Sequence, residues 1–392
     1  MKILIANPGS TSYKCKLYDT SNMTILFEAT VEKIGSEDGI YSYNFSDTKI
    51  ESKNVLAIPD YFFAVGLTLD SLGEKFSIEE LSAVGFKTVH AKGVTGCVEL
   101  EDNVLNAMEE YRFLAPVHTD VYITAISVFK KLLPSKPLIG LFETHFHKDI
   151  PPEAYMYGIP YELHEKHGIR KFGFHGASHR YIGQRAKELF GADKTISCHL
   201  GGSSSVCAIK DGWSIDTSMG MSPQSGLLNA KRVGDLDPFA LLYIMEKEKL
   251  SPEEMGNILM SEGGLYGISG VKSGDFRDIE EKMAEGDERS QLAFDTFAYY
   301  VKRYIGEYLA VLNGADCIVF TAGAGQKGAR LRKAVLSDME NIGIILDDDK
   351  NNANPKEGLI SSNGSKIKVA VIPTNEEYIV AKEVKNYLDS LK

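Results

Sequence analysis

The sequence predicts an α/β protein built from two duplicated domains that face one cleft. Three observations carry this: the chain length, a Gly/Ser hairpin that occurs twice, and strand and helix patterns that alternate along the chain. At 392 residues the chain exceeds what one hydrophobic core usually organises, so two domains are expected, with a small-molecule site in the cleft. The first hairpin is MKILIANPGSTSYKCKLYD, a strand, a turn rich in N–H and hydroxyl donors, and a second strand of alternating pattern. TISCHLGGSSSVCAIKDG at 195–212 repeats it, and Leu4 to Ser12 aligns without gaps on Ser197 to Ser205. Gly/Ser turns are common alone; the matching strands on either side are what point to duplication.

The remaining elements follow in order. SIEELSAVG (77–85) and DNVLNAMEEYRFLAP (102–116) carry helical patterns, and KPLIGLFET (136–144) reads as a strand. The prolines of Ile150-Pro151-Pro152 mark a boundary. Residues 1–150, joined by a terminal helix at 379–392, are therefore expected to form one domain, and 151–378 the other. RSQLAFDTFAYYVKRYIGEYLAVLNG (289–314) is a long amphipathic helix ending at Gly314. CIVFTAGAGQKGARLRKAV (317–335) reads as strand, glycine turn and basic helix start, the form of a phosphate or nucleotide cradle. It lacks the Lys-Ser/Thr of a P-loop and the full GxGxxG spacing. The last segment is a buried strand followed by a helix that starts with Asn375-Glu376-Glu377. Acidic residues in a first helical turn suit the helix dipole, and at a strand's C-terminal end they can also hold a metal.

Composition bounds the function. The apolar fraction is 43% and the charged fraction 25%, and no apolar run reaches the roughly 20 residues of a membrane span. MKILIAN leads directly into the Gly/Ser turn without a signal peptide's long apolar region, so a cytoplasmic location is expected and no membrane partner. A net charge of -11 argues against a nucleic-acid partner, because backbone phosphates are held by clustered Lys and Arg. Five cysteines without a CxxC pair point to reduced thiols rather than to disulfides or zinc.

Seven of the nine histidines fall between 145 and 199, five of them in Glu143-Thr-His-Phe-His147, Phe174-His-Gly-Ala-Ser-His179 and Cys198-His199. Their spacing fits neither HExxH nor a Cys/His finger. A histidine near a phosphate can stabilise charge as a donor, and a satisfied structural role is the alternative for each. Arg232 and Asp235 follow the turn-rich Asp216-Thr-Ser-Met-Gly220. An arginine fork suits a phosphoryl group or carboxylate, although a surface salt bridge would need nothing more.

In order, NPGSTSYK, FGFHGASH, HLGGSS, DTSMG, GDLDP, GISGV, VFTAGAG and IPTNEE span nearly the whole chain, and together they resemble the acetate and propionate kinases. The resemblance implies the duplicated actin-like ATPase fold shared with Hsp70 and sugar kinases, two domains with a cleft. It implies reversible, ATP- and Mg²⁺-dependent phosphorylation of a short-chain carboxylate, with Mn²⁺ able to replace Mg²⁺, by a homodimer. Carried onto this chain, it places Asn7 and Glu376 at the metal, and Ser10, Ser12 and Lys14 near the phosphates. His199, Leu200, Gly201, Gly202 and Ser203 match the phosphate loop. Asp275, Phe276 and Arg277, with Gly323, Ala324, Gly325, Gln326 and Lys327, match the nucleotide pocket. Glu143, His175 and Arg232 take the catalytic positions. Lys87, Val89, Val117, His118, Phe174 and Pro223 take the substrate positions.

Three positions depart from that pattern. Lys87 replaces the family's substrate-binding arginine, which keeps the charge and loses the bidentate fork. Glu143 replaces an aspartate, moving the carboxylate out by one methylene. Gly202 replaces an asparagine and removes a donor near the phosphates. The turns Asn7–Ser12 and His199–Gly202 also look like those of butyrate kinases. A different acid or phosphoryl donor, or a nucleotide-binding relative of weak activity in a regulatory role, are the alternatives these changes leave open; a sugar kinase on the same fold fits the apolar pocket residues less well.

Overall fold

The computed structural model describes residues 1–48 and 52–392. The chain forms two compact units, Met1–His145 with Asn375–Lys392, and Phe146–Thr374.

The first unit is built on eight strands: β1 (Lys2–Pro8), β2 (Ser12–Asp19), β3 (Thr24–Glu32), β4 (Ser36–Phe45), β5 (Ser52–Ile58), β6 (Leu81–Thr88), β7 (Cys97–Glu99) and β8 (Leu138–Phe142). They lie in the order β5-β4-β3-β2-β1-β6-β8-β7. Strands β1 to β5 pair antiparallel, β1, β6 and β8 run parallel, and β7 closes the far edge antiparallel. Tyr13, Phe27, Phe86 and Phe129 fill its core, and the C-terminal helix Glu376–Ser390 packs on β1, β6 and β8.

The second unit carries β9 (Lys194–Leu200), β10 (Ser204–Lys210), β11 (Trp213–Thr217), β12 (Cys317–Thr321), β13 (Gly358–Leu359) and β14 (Lys368–Val371), in the order β11-β10-β9-β12-β14-β13. On β12, Ile318 and Phe320 face the long helix Glu288–Val311, which buries Phe294, Phe297, Val301 and Ile305. Cys317 and Val319 join the other cluster, with Ile182 and Ala186 of helix Gly176–Phe190. This two-faced alternation is the period of a strand covered on both sides.

The duplication expected from the hairpins is present in the topology. The series β3-β2-β1-β6-β8-β7 corresponds place for place, in direction as well as order, to β11-β10-β9-β12-β14-β13, while β4 and β5 extend the first sheet alone. The gapless alignment, however, does not hold through the turns. Gly9 to Ser12 separate the paired residues Pro8 and Tyr13, whereas only Gly201 to Ser203 separate Leu200 from Ser204.

One element differs from its pattern. The helix expected over 77–85 is a single 3₁₀ turn, Ile78–Glu80, followed by β6. Ser77 and Glu80 do form a reciprocal capping box, but Leu81 and Ala83 to Phe86 are buried and their strand pairs with β1 and β8. Burial between two strands overrides the local helix signal.

Candidate active site

In the first unit several of the side chains expected at the site gather at the carboxyl ends of parallel strands, where open α/β sheets bind ligands. Asn7 ends β1, Lys87 ends β6, Glu143 follows β8, and Glu376 opens the C-terminal helix. Lys87 Nζ donates to Glu376 Oε2 at 2.5 Å and lies 3.8 Å from Glu143 Oε1. Burial alone would lower the Lys87 pKa; the Glu376 and Glu143 carboxylates outweigh it and hold the ammonium well above its ordinary value. Asn7 Nδ2 donates to Glu377 Oε1 at 3.4 Å. Tyr122, buried on helix Pro116–Leu132, lies close enough to feel all three charges. Nothing in its sequence context separates it from an ordinary core tyrosine.

Ser10 stands exposed in the first turn, and Ser12 and Lys14 start β2. Tyr61 closes this turn by bonding the carbonyls of Gly9 and of Ser12, the latter at 2.8 Å. Val89 packs on the core, while Val117 and His118 are exposed on the first turn of helix Pro116–Leu132. Phe174 and Pro223 are buried in the second unit.

The second unit encloses a cavity of about 340 Å³ that gathers three separate glycine segments. Gly201 and Gly202 come from the β9–β10 turn, Asp275 to Arg277 from the start of helix Phe276–Ala284, and Gly323, Ala324 and Lys327 from the short helix Ala322–Lys327, which follows β12 directly where a glycine turn was expected. Gly274, Glu280, Gly328 and Leu331 complete the lining and were not singled out from sequence. Gly202 faces open space, so the missing asparagine side chain would meet nothing there. Leu200 and Gly325 are buried in strand and helix packing instead. The short helix itself hangs on Arg332, whose buried guanidinium donates at 2.8 Å to the carbonyls of Gly325 and Gln326 and at 2.8 Å to Asn351 Oδ1. A lone Arg in a basic helix start gives no sign of such a role.

Arg232 sits beside this cavity's first turn. Its Nη1 donates to Ser203 Oγ at 2.8 Å, and the Ala230 amide donates to the Gly202 carbonyl at 3.1 Å. Burial lowers its pKa, and among the described residues no carboxylate forms an ion pair with it. A desolvated guanidinium without an anion favours a ligand that brings one. Its loop depends on two glycines in the left-handed region. A Cβ on Gly264 (φ +65°) would lie 2.1 Å from the Asn229 carbonyl oxygen and 2.7 Å from that of Arg232; on Gly274 (φ +62°) it would lie 2.2 Å from that of Ala230. Gly264→Ala is therefore expected to cost at least about 3 kcal/mol, from steric overlap added to the left-handed penalty. Thermal melts and kcat of this variant check it; an unchanged melting temperature would contradict it.

Around His175 lies a buried histidine group. His175 caps helix Gly176–Phe190 in the left-handed region at φ 56° and stacks on His199 with centroids 4.2 Å apart. His147 Nε2 donates to the Phe174 carbonyl at 2.9 Å, with Nδ1 2.8 Å from Ser214 Oγ. Burial pushes the pKa of His147 and of His90 down to about 4, and that of His179 well below its ordinary value. A depressed histidine favours the neutral form on folding, so its contribution to stability is present above the unfolded pKa of about 6.5 and is lost as pH falls towards the folded value. Urea denaturation is expected to show about 2 kcal/mol of loss per such histidine between pH 7.5 and 5, and pH-independent stability would contradict it.

The profile described as the Acetokinase family matches residues 2–382. The acetate kinase of Thermoanaerobacterium thermosaccharolyticum is 43% identical over 100% of both chains. That of Desulfitobacterium hafniense is 44% identical over 97% of this chain and 98% of its own. Among solved structures, Porphyromonas gingivalis acetate kinase superposes with a TM-score of 0.86 at 36% identity, covering 99% of each chain. A propionate kinase from Francisella tularensis reaches 0.89 at 32% identity, covering 98% of this chain and 99% of its own. With these matches covering almost its full length, the chain belongs to the acetokinase family.

Proposed function

We propose that this chain transfers the γ-phosphoryl group of ATP directly to the carboxylate of a short-chain acid, acetate or a near homologue, giving ADP and an acyl phosphate in a reversible step. Arg232 carries the reading. Its guanidinium is desolvated, has no carboxylate partner among the described residues, and adjoins the glycine turn of a nucleotide-sized cavity. Joining two anions leaves little covalent work for the protein, so positioning and charge stabilisation must supply the rate. Arg232 and His175 donate to the transferring group, and the amide of Gly202 to the nucleotide phosphates. Lys87 offsets the charge of the acid, with the apolar Val89 and Val117 of the same unit for its alkyl end.

Among the described residues no group of three or more His, Cys, Asp or Glu could hold a metal alone. Mg²⁺ needs less, because it binds through one or two carboxylates together with substrate phosphates and water. Asn7 and Glu376 offer hard oxygen donors of that kind, and Mn²⁺ accepts the same set. When bound, the ion neutralises phosphate charge.

No described helix is long and apolar enough to cross a membrane, and a cytoplasmic homodimer belongs to this reading. Helix Pro238–Glu248 supports the dimer by exposing Phe239, Leu242 and Tyr243, at 78%, 54% and 62%.

ATP-dependent hydroxamate formation across formate, acetate, propionate, butyrate and larger acids tests the function, with glycerol and a hexose as controls. Turnover on acetate or propionate is expected. Turnover only on the sugars, or on no acid at all, would overturn it, and a preference for a longer acid would assign the effect of Lys87, Glu143 and Gly202 to specificity.

A further inference from the structure

Three buried residues outside the assigned site form an unbroken chain to His175. Ser197 Oγ lies 2.8 Å from His179 Nδ1, His179 Nε2 lies 2.8 Å from Ser205 Oγ, and Ser205 Oγ lies 2.8 Å from His175 Nδ1. Ser197, His179 and Ser205 have no solvent exposure. The fold places them there. Ser197 on β9 and Ser205 on β10 meet helix Gly176–Phe190, and His175 and His179 are four residues apart at its start, on one face.

The direction of these bonds follows from satisfying every polar hydrogen. Among the described residues His179 is the one hydrogen-bond partner of the Ser197 hydroxyl. Burial, with His147 and His199 nearby, keeps His179 neutral, so it carries one N–H. Were that hydrogen on Nδ1, Ser197 would accept it and leave its own hydrogen buried without an acceptor, which is unfavourable. Ser197 therefore donates to Nδ1, and the His179 hydrogen sits on Nε2. Ser205 Oγ accepts it and turns its own hydrogen to His175 Nδ1.

We propose that Ser197, His179 and Ser205 are positioning residues that fix His175 with its hydrogen on Nε2, so that the nitrogen away from Ser205 is the donor. This rests on the reading of His175 as a donor to the transferring phosphoryl group. A histidine whose other nitrogen is held as an acceptor cannot present the wrong tautomer, so no turnover is lost to a ring that offers a lone pair to an anion.

Long-range ¹⁵N–¹H correlation spectra of ¹⁵N-histidine-labelled protein test this, with the His175 signals assigned by their loss in His175→Asn. The parent protein should show His175 as the Nε2–H tautomer. Ser197→Ala, three hydrogen bonds away, and His179→Leu should each give a tautomer mixture, while His179→Gln, whose amide still donates to Ser205, should retain the parent pattern. In Ser197→Ala kcat should fall about tenfold with KM for ATP and acid nearly unchanged. An Nδ1–H tautomer in the parent overturns the proposal without any variant, and so does an unchanged spectrum in a folded Ser197→Ala. A tautomer shift without a change in kcat upholds the relay and overturns the reading of His175 as the donor.

Discussion

Replacing Arg232 by Ala is expected to lower kcat by about 10²- to 10³-fold, the usual loss when one preorganised donor to a developing charge is removed. Among the described residues its one hydrogen-bond partner is the Ser203 hydroxyl at 2.8 Å, so no carboxylate there holds the fork in the absence of an anion. The change removes a half-buried cation that burial disfavours, so stability should change little while the rate collapses. Arg232→Lys should recover only part of the rate, because a point charge replaces a planar fork. Steady-state kinetics with thermal melts separate the two effects. A variant with near-parental kcat would remove Arg232 from the reaction, and one that unfolds would assign it to structure.

Lys87→Met should act on stability as well as activity. It leaves Glu143, 5% exposed, and Glu376 without their cation. Removing one partner of a buried ion pair costs several kcal/mol, and the partial exposure of Lys87 and Glu376 reduces this to about 2–4 kcal/mol. The sign of the pH dependence follows from the raised Lys87 pKa. Its stabilisation is fully present below the unfolded value of about 10.4 and is lost only as pH rises through the higher folded value. Lys87 therefore stays charged from pH 6 to 9, and the stability it contributes should be constant across that range. Lys87→Arg restores a fork and should lower KM for the acid about threefold or more. An unchanged KM would show that Lys87 does not meet the acid.

The sequence made visible what local pattern controls. The two hairpins are legible because their turn chemistry and strand alternation are local, and from them the duplication follows. The glycine-rich segments at 201 and 323 could be named from their local turn pattern, and Asp275 to Arg277 only from the family resemblance. Their convergence on one cavity is a tertiary fact. The same limit explains the misread helix at 77–85: Ser77 and Glu80 encode a real capping box, but the partners that make Leu81–Thr88 a strand lie at β1 and β8. Tyr122, Arg332 and the serines around His179 escaped notice because a buried polar partner leaves no periodic mark. Ser197 and Ser205 look like ordinary strand serines until the helix that carries His179 is laid against them.

The claim that phosphate passes to a carboxylate oxygen is tested most directly by ³¹P NMR of the enzyme with Mg-ATP and acetate labelled with ¹⁸O in both carboxyl oxygens. The transfer forms a bond from a carboxylate oxygen to the γ-phosphorus and breaks the bond to ADP. An acyl phosphate should appear in step with ADP, its ³¹P signal displaced by one ¹⁸O in the bridging position. ADP and unlabelled inorganic phosphate appearing at the same rate with and without acid would contradict it.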